Sequence, residues 1–342
     1  MRTTLPRSRH VARISMVALL FIATGLHGSE NSNMSPSKIA DKIGPGGTLR
    51  MVGTYTNADC FESNCNERNA YSVAKSLDGK VLVYGTRAPS FSGRDQKTLL
   101  ENRLSSAGSA MDNEPLLWHS QHHGWKKIER PPECSYNRYL HTMTALPNNK
   151  ILIAGGRCDA PKMSDDHTPY LPYTGLSLWN STTLKWDEAP LLSDARFFHT
   201  ATLLDDGSVL LAGGQQDQNS NQADIKILAS VESYHLGEIK QHPPLRVARA
   251  KHTATLLNNH FVMVVGGSDK AGKAINSVEI ANSSLAWQDA PPLKVARYSH
   301  SATLLDDGRI MIAGGVNHEG EPINSVEIWN PAKNEWLKAH RC

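Results

Sequence analysis

One pattern of hydrophobic and polar positions recurs along the chain. Its clearest copy runs from Arg196 to Gly214 as R-F-F-H-T-A-T-L-L-D-D-G-S-V-L-L-A-G-G. Four other windows repeat this order with increasing variation: 249–267, 297–315, 138–156 and 68–86. A pattern that returns about every 50 to 70 residues indicates a repeat architecture in which each copy is one structural unit.

Each copy predicts a β-hairpin. In the 196–214 copy, T-A-T-L-L and V-L-L-A are strand-favouring runs, and Asp205-Asp206-Gly207 between them is a tight-turn sequence. A third strand with an aromatic residue follows, and a tryptophan comes seven residues later in the pairs Trp118–Trp125, Trp179–Trp186 and Trp329–Trp336. Four antiparallel strands per unit predict the blades of an all-β propeller.

The repeat bounds predict about five blades, at residues 68–133, 134–195, 196–248, 249–296 and 297–342. Upstream of them, Gly47–Tyr55 has the pattern of one further strand, which would partner a closing blade. The ring is therefore either five-bladed or an incomplete six-bladed ring. An open ring would expose unpaired strand edges, and dimerisation would be one way to cover them.

The order of a polar residue, a histidine, the Gly-Gly pair, an aromatic and a tryptophan resembles the Kelch family over about residues 68–340. The hairpins look most like bacterial exported Kelch proteins and the propeller of galactose oxidase. Kelch propellers serve both as enzymes and as binding proteins, so the resemblance implies a fold and leaves the reaction open.

The copper site of galactose oxidase is not matched in this sequence. Tyr234-His235 is the only adjacent Tyr-His pair, and it falls at the ordinary third-strand position. The recurring histidines are expected to hydrogen-bond within their own blades and not to hold a metal: His141, His199, His252 and His300. We therefore expect no metal site and no cofactor.

Residues 1–28 have the features of a secretory signal peptide. Four arginines and no acid occupy residues 1–13, an apolar stretch runs over 14–26, and Ala23-Thr24-Gly25 offers a small-x-small cleavage pattern. The apolar stretch is shorter than the ~20 residues that a spanning helix needs, although an uncleaved anchor is the alternative. The mature chain is therefore expected to be secreted or periplasmic, with 29–67 as an N-terminal segment.

Export would place the five cysteines in an oxidising compartment. Cys60 and Cys65 are close enough in sequence to pair locally. Cys134 and Cys158 fall on one rim of the same predicted blade and form the second expected disulfide. Cys342 is then the one cysteine for which no pairing is predicted.

The first residue of each copy is an arginine, and these five residues are the candidate ligand-binding residues: Arg68, Arg138, Arg196, Arg249 and Arg297. In an up-and-down blade, the start of the first strand and the end of the second lie on one face, so the arginines share a rim. A ring of guanidinium groups suits an acidic ligand, because arginine binds carboxylates in a bidentate fork. Alternatively, each arginine bonds carbonyls or an acid in its own blade.

The net charge of the chain bears on which classes of binding partner are expected. The chain carries 36 Lys and Arg against 33 Asp and Glu, a net charge of +3, which gives no general reason to expect a nucleic acid partner. After removal of the signal peptide, no other apolar run is long enough to span a membrane.

Two functions are consistent with these observations. The first is an exported Kelch binding or scaffold protein that recognises a protein segment or acidic glycan on its arginine-lined face. The second is a periplasmic carbohydrate enzyme, since the resemblance extends to sialic acid mutarotases. It would need a general acid or base, for which Asp165, Asp166 and His167 are candidates. The sequence favours binding over catalysis.

Overall fold

The structure is a computed structural model that describes residues 71–85, 115–119, 124–134, 138–159, 170–216 and 225–338. Within these ranges, no helix has the length and apolar character needed to cross a bilayer. Several sequence predictions fall on residues outside the described ranges: the signal peptide 1–28, the segment 29–67, Cys60, Cys65, Arg68, Asp165, Asp166, His167 and Cys342.

Five four-stranded antiparallel sheets form the blades, as predicted. Blade 1 contains β1 (Tyr71–Lys75), β2 (Val81–Gly85), β3 (Leu116–His119) and β4 (Gly124–Lys127). Blade 2 contains β6 (Thr142–Ala145), β7 (Lys150–Ala154), β10 (Leu176–Asn180) and β11 (Lys185–Asp187). Blade 3 contains β12 (Thr200–Leu203), β13 (Val209–Ala212), β16 (Val231–His235) and β17 (Glu238–His242).

Blades 4 and 5 repeat this order. Blade 4 contains β18 (Thr253–Leu256), β19 (Val262–Val265), β20 (Val278–Ala281) and β21 (Trp287–Ala290). Blade 5 contains β22 (Ser301–Leu304), β23 (Ile310–Ala313), β24 (Val326–Asn330) and β25 (Glu335–Lys338). The strands of each blade follow one another from the inner strand outward in chain order.

The hairpin turns form where the sequence predicts them. In blade 3, Leu203 pairs with Val209, and the chain reverses through Asp205-Asp206-Gly207. Gly207 has a φ of 82°, a conformation that favours glycine, and the Asp206 carboxylate accepts a hydrogen bond from the Ser208 backbone N–H.

The blades pack face to face, and side chains alternate between the two neighbours of each blade. In β7, Ile151 and Ile153 pack against Leu82 of blade 1, whereas Leu152 packs against Leu211 of blade 3. All five side chains are at most 1% exposed. Successive side chains of a strand point to opposite faces of the sheet, and in this blade both faces are covered by a neighbouring blade.

The inner strands β1, β6, β12, β18 and β22 lie side by side in that order. The two end strands of this series, β22 and β1, lack the close approach that the other neighbouring pairs share. The described blades therefore form an arc around a common axis, with blades 1 and 5 at its ends.

The tryptophan pairs connect successive blades. Trp329 lies directly opposite Trp336 in the register of β24 and β25, with ring centroids 5.2 Å apart. The Trp336 Nε1–H donates to the Pro291 carbonyl in the connection from blade 4, at 2.7 Å. Trp287 donates to Pro243 in the same way, so the tryptophans of the outer strands tether blades 4 and 5 to the blade that precedes each of them.

Two small sheets extend the rim beyond the Gly-Gly pairs, a feature that the sequence did not predict. One joins β5 (Arg138–Tyr139), β8 (Arg157–Asp159) and β9 (Tyr170–Pro172), and the other joins β14 (Gln215–Gln216) and β15 (Lys226–Ile227). Arg138 pairs with Cys158 in the first sheet, and the Cys134–Cys158 disulfide closes across this rim with Cα atoms 6.1 Å apart, as expected.

Candidate binding site at the axial cavity

The four described candidate arginines lie inside their blades. Arg138, Arg196, Arg249 and Arg297 are each 0% exposed. Their guanidinium groups bond to groups of their own blades, so the rim offers none of these four to an external ligand. The predicted ligand-binding role of these residues is therefore corrected to a structural one, and Arg68 lies outside the described residues.

Arg249 shows how each guanidinium is held. It donates to the Gly266 carbonyl at 2.9 Å, to the Ser277 carbonyl at 3.0 Å and to Glu279 Oε1 at 2.6 Å. Glu279 also accepts the backbone N–H groups of Arg246 and Val247, which lead into the blade. Burial lowers the pKa of Arg249, and Glu279 opposes that shift. The buried pair thus fixes the entry of the chain into blade 4, and Glu232 and Glu327 make the corresponding contacts in blades 3 and 5.

Blade 2 lacks this carboxylate. Ser177 occupies the position that Glu232, Glu279 and Glu327 hold in the later blades, and Arg138 donates to Ser177 Oγ at 2.8 Å. Ser177 in turn donates to Glu133 at 3.2 Å, and the Arg138 guanidinium lies 4.7 Å from the Tyr173 ring centroid. In blade 2, the buried Arg138 cation is therefore stabilised by the Ser177 hydroxyl, which bonds on to Glu133, and by the ring of Tyr173.

In blades 3 to 5, Nε2 of the repeated histidine lies within hydrogen-bond distance of a threonine in the preceding blade, whereas the sequence predicts a bond within its own blade. His252 Nε2 lies 3.1 Å from Thr200 Oγ1 of blade 3, and His300 Nε2 lies 2.9 Å from Thr253 Oγ1 of blade 4. His199 makes the same contact, at 3.0 Å, with Thr142 of blade 2. These histidines join successive inner strands around the axis.

The histidine of one blade and the backbone of the arginine before it pack directly against the Gly-Gly pair of the preceding blade. A Cβ atom at Gly213 would lie 2.8 Å from His252 Cε1 and 2.6 Å from the Arg249 carbonyl oxygen. The Gly214 N–H donates to that same Arg249 carbonyl, at 2.8 Å. Only glycine leaves room for the following blade to approach this closely.

Burial keeps the histidines neutral. Desolvation and the nearby arginines lower the pKa of His141 and His300 to about 3, and lower the pKa of His199 and His252 well below 6.5. Within the described residues, no cluster of three or more His, Cys, Asp or Glu side chains is arranged to hold a metal ion. The imidazoles therefore act as neutral hydrogen-bonding groups.

The residue before each histidine adopts a left-handed backbone conformation. These residues are Leu140, Phe198, Lys251 and Ser299, with φ between 54° and 58°. The Lys251 N–H donates to the Phe198 carbonyl, and the Ser299 N–H donates to the Lys251 carbonyl, each at 2.9 Å. This conformation is uncommon for residues other than glycine and persists because the surrounding structure holds it.

These left-handed residues, the histidines and the inner strands enclose a cavity on the axis. Its volume is ≈ 70 Å³, and its lining includes Leu140, Met143 and Phe198 as apolar groups, and Ser72, Thr142 and Ser299 as hydroxyls. Lys251 also lines it, with Nζ 4.6 Å from the Phe198 ring centroid and 5.5 Å from that of Tyr298. The cavity thus combines hydroxyl and imidazole groups with an ammonium group held beside two aromatic rings.

The sequence analysis missed the residues that line the cavity mouth. A signal was present: the residue before the histidine changes from Leu to Phe, Lys and Ser, whereas the histidine itself and the arginine three residues before it repeat. The repeat therefore does not fix the residue type at this position, which is buried at Leu140 and Phe198 and partly exposed at Lys251 and Ser299.

Comparisons with known proteins agree with the architecture. A family model described as Kelch motif matches residues 297–339. A solved structure titled "Structure of YjhT" has a TM-score of 0.55 with 13% identity, over 79% of this chain and 83% of that chain. At that identity, the similarity concerns the fold alone.

One curated protein also matches. The tRNA wybutosine-synthesizing protein 4 of Saccharomyces cerevisiae is 36% identical over 81 residues, which is 22% of this chain and 10% of that protein. The match therefore covers only a small part of that protein's length. The repeats, the blades and the matched motif agree, so the chain contains a Kelch motif at residues 297–339 and has the fold of a Kelch-type β-propeller.

Proposed function

We propose that the protein is an exported Kelch-repeat binding or scaffold protein that recognises a protein segment or a glycan at the mouth of its axial cavity. The observation that carries the proposal is the Lys251 ammonium, positioned 4.6 Å from the Phe198 ring centroid at the cavity lining. The features of residues 1–28 support export.

The chemistry of the cavity suits an acidic, hydroxyl-rich group. An ammonium group attracts a carboxylate, and the hydroxyls of Ser72, Thr142 and Ser299 can both donate and accept hydrogen bonds. A volume of ≈ 70 Å³ corresponds to about two water molecules in the liquid. The cavity therefore fits one head group or one sugar substituent, while the rest of the ligand would lie across the mouth.

The cavity histidines support binding more than catalysis. A general base works best when its pKa lies near the working pH, whereas burial lowers the pKa of His141 and His300 to about 3. The enzymatic alternative depends on Asp165, Asp166 and His167, which lie outside the described residues.

The test is a thermal-shift screen followed by titration calorimetry. Galacturonic acid and a glutamate-rich decapeptide are the acidic probes, and galactose and a glutamine-rich decapeptide are the neutral ones. For any acidic probe that binds, Lys251→Met should weaken binding at least tenfold while it keeps most of the apolar stem.

Lys333→Met is the matched control, because it removes a lysine from an exposed outer turn. If Lys251→Met and Lys333→Met bind equally well, or if only the neutral probes bind, the proposal is wrong.

A further inference from the structure

One of the four histidines that line the axial cavity differs from the other three. His199, His252 and His300 each place Nε2 within 3.1 Å of a threonine Oγ1 in the preceding blade. His141 lines the same cavity and is 3% exposed, yet its Nε2 has no hydrogen-bond partner among the described residues. A buried polar group without a partner costs free energy, which a bound group that pairs with it can recover.

A serine in blade 1 accounts for the difference. Ser72 stands at the position that threonine holds in the next three blades, at Thr142, Thr200 and Thr253. The Ser72 hydroxyl donates to the His141 backbone carbonyl, at 3.0 Å, and is not paired with the imidazole. The polar contact between the inner strands of blades 1 and 2 therefore leaves out the His141 ring.

A neutral hydroxyl is the group that suits His141 Nε2. The partner of this nitrogen in blades 3 to 5 is a threonine hydroxyl, which can donate or accept and so fits either tautomer of the imidazole. A positively charged group is disfavoured there, because burial and the nearby Arg138 cation lower the pKa of His141 to about 3. Arg138 itself donates to carbonyls and to the Ser177 hydroxyl, so no carboxylate of the described residues contacts its charge directly.

The two sides of the cavity thus offer different chemistry. Lys251 contributes an ammonium group beside the Phe198 ring, whereas blades 1 and 2 contribute the neutral groups of Ser72 and His141. Building on the proposed function, we infer that the ligand is a hydroxy acid: its carboxylate lies at Lys251, and its hydroxyl pairs with His141 Nε2 in place of the absent threonine hydroxyl. At ≈ 70 Å³, the cavity holds both groups when they are close together in the ligand, as in an α-hydroxy acid.

Three small acids with one carbon skeleton test this inference. At the carbon next to the carboxylate, lactate carries a hydroxyl, propionate a hydrogen and alanine an ammonium group. Their dissociation constants are measured by ligand-observed NMR titration of the full-length protein. Lactate should bind at least about tenfold more tightly than the other two, because a site that pairs with a hydroxyl rejects analogues that lack it. If propionate or alanine binds as tightly as lactate, the inference is wrong.

Ser72→Thr supplies the absent hydroxyl from the protein itself. With His141 Nε2 paired as in the later blades, the preference for lactate over propionate should fall to less than about twofold. The ratio of the two affinities is the readout, because a methyl group that only narrows the cavity would weaken both acids alike. A preference that persists in Ser72→Thr would overturn the inference.

Ser301→Thr is the matched control. It makes the same change at the corresponding position of blade 5, and Ser301 is not among the described residues that line the cavity. The preference for lactate should persist in this variant. If Ser301→Thr abolishes the preference as completely as Ser72→Thr does, the effect does not come from His141 and the inference is wrong.

Lys251→Met separates this inference from the proposed function. It should weaken lactate and propionate by the same factor, because both acids carry the carboxylate. If it weakens both acids but they bind equally well to the parent protein, only the hydroxyl contact is wrong. If neither acid binds, or if Lys251→Met changes neither affinity, the proposed function and the inference both fail.

The imidazole resonances provide a second readout. In protein labelled with ¹⁵N-histidine, lactate should shift the Nε2 resonance of His141, and propionate should leave it in place. Ser72→Thr identifies this resonance, because the substitution alters the surroundings of the His141 ring. A His141 resonance that does not respond to saturating lactate would overturn the inference.

Discussion

His252 Nε2 lies 3.1 Å from Thr200 Oγ1, and this hydrogen bond joins the inner strand of blade 4 to that of blade 3. Both side chains are buried. The bond recurs between blades 2 and 3 and between blades 4 and 5. Each of blades 2 to 4 is therefore held to the next by a specific polar contact at the axis, in addition to the apolar contacts between the sheets.

Thr200→Val should destabilise the protein by about 1–3 kcal/mol, because it leaves the buried His252 nitrogen without a partner at nearly constant volume. Urea denaturation measures the loss. Thr183→Val, in an exposed turn, is the matched control and should change the free energy of unfolding by less than about 0.5 kcal/mol. Equal stabilities of the two variants would contradict the prediction.

Glu279→Gln should destabilise the protein by about 3–5 kcal/mol, because it leaves the buried Arg249 guanidinium without its counter-charge. The midpoint of urea denaturation reports the effect. Glu335→Gln removes a carboxylate from an exposed ion pair with Lys333 and should cost no more than about 1 kcal/mol. Similar midpoints for the two variants would show that the buried pair has no special role.

Stability should fall as the pH drops below about 6.5. Burial holds the folded-state pKa of the axial histidines below the ordinary histidine value of 6.5, so the unfolded chain takes up protons first as the pH falls. The stabilisation is complete above pH 6.5 and decreases towards the folded pKa, by up to about 1.4 kcal/mol per pH unit for each histidine.

Denaturation midpoints between pH 7 and 5.5 measure this effect while most carboxylates stay ionised. His318→Gln is the matched control, because it replaces an exposed histidine in a surface turn. A stability that stays constant across this pH range would contradict the assignment of buried, neutral histidines.

The Cys134–Cys158 disulfide should contribute about 3 kcal/mol, as expected for a cross-link that spans 24 residues. Replacing both cysteines with serine should lower the melting temperature by several degrees. In a background that keeps the other cysteines, dithiothreitol should lower the melting temperature of the parent and have little further effect on the double variant. An equal response in both proteins would assign the effect to another disulfide.

The sequence predicted the hairpins and blades because their determinants are local. The turn at Asp205-Asp206-Gly207 and the alternation in β13 depend on residues that are adjacent in the chain. The repetition strengthened the prediction of the blades, because the degenerate sequence pattern of blade 1 could be aligned with the clear patterns of blades 3 to 5. The outcome at Tyr71–Lys75 confirms that even the degenerate copy forms a strand.

The role of the arginines was harder to predict because burial is not a local property. Arg249 meets Glu279, which is 30 residues away in sequence, and only the folded blade brings them together. A usable signal existed in the acid near the start of the third strand, at Glu232, Glu279 and Glu327. An acid that recurs with the arginine in three copies indicates a partner within the blade.

The left-handed residues before the histidines have a consequence for how this scaffold can diversify. The backbone amides of Lys251 and Ser299 carry the hydrogen bonds between blades at these two positions, so these bonds do not depend on which side chains stand there. A library randomised only at the codons for the partly exposed Lys251 and Ser299 would therefore change what the cavity mouth recognises and retain the fold, because the buried Leu140 and Phe198 keep their place in the apolar cluster.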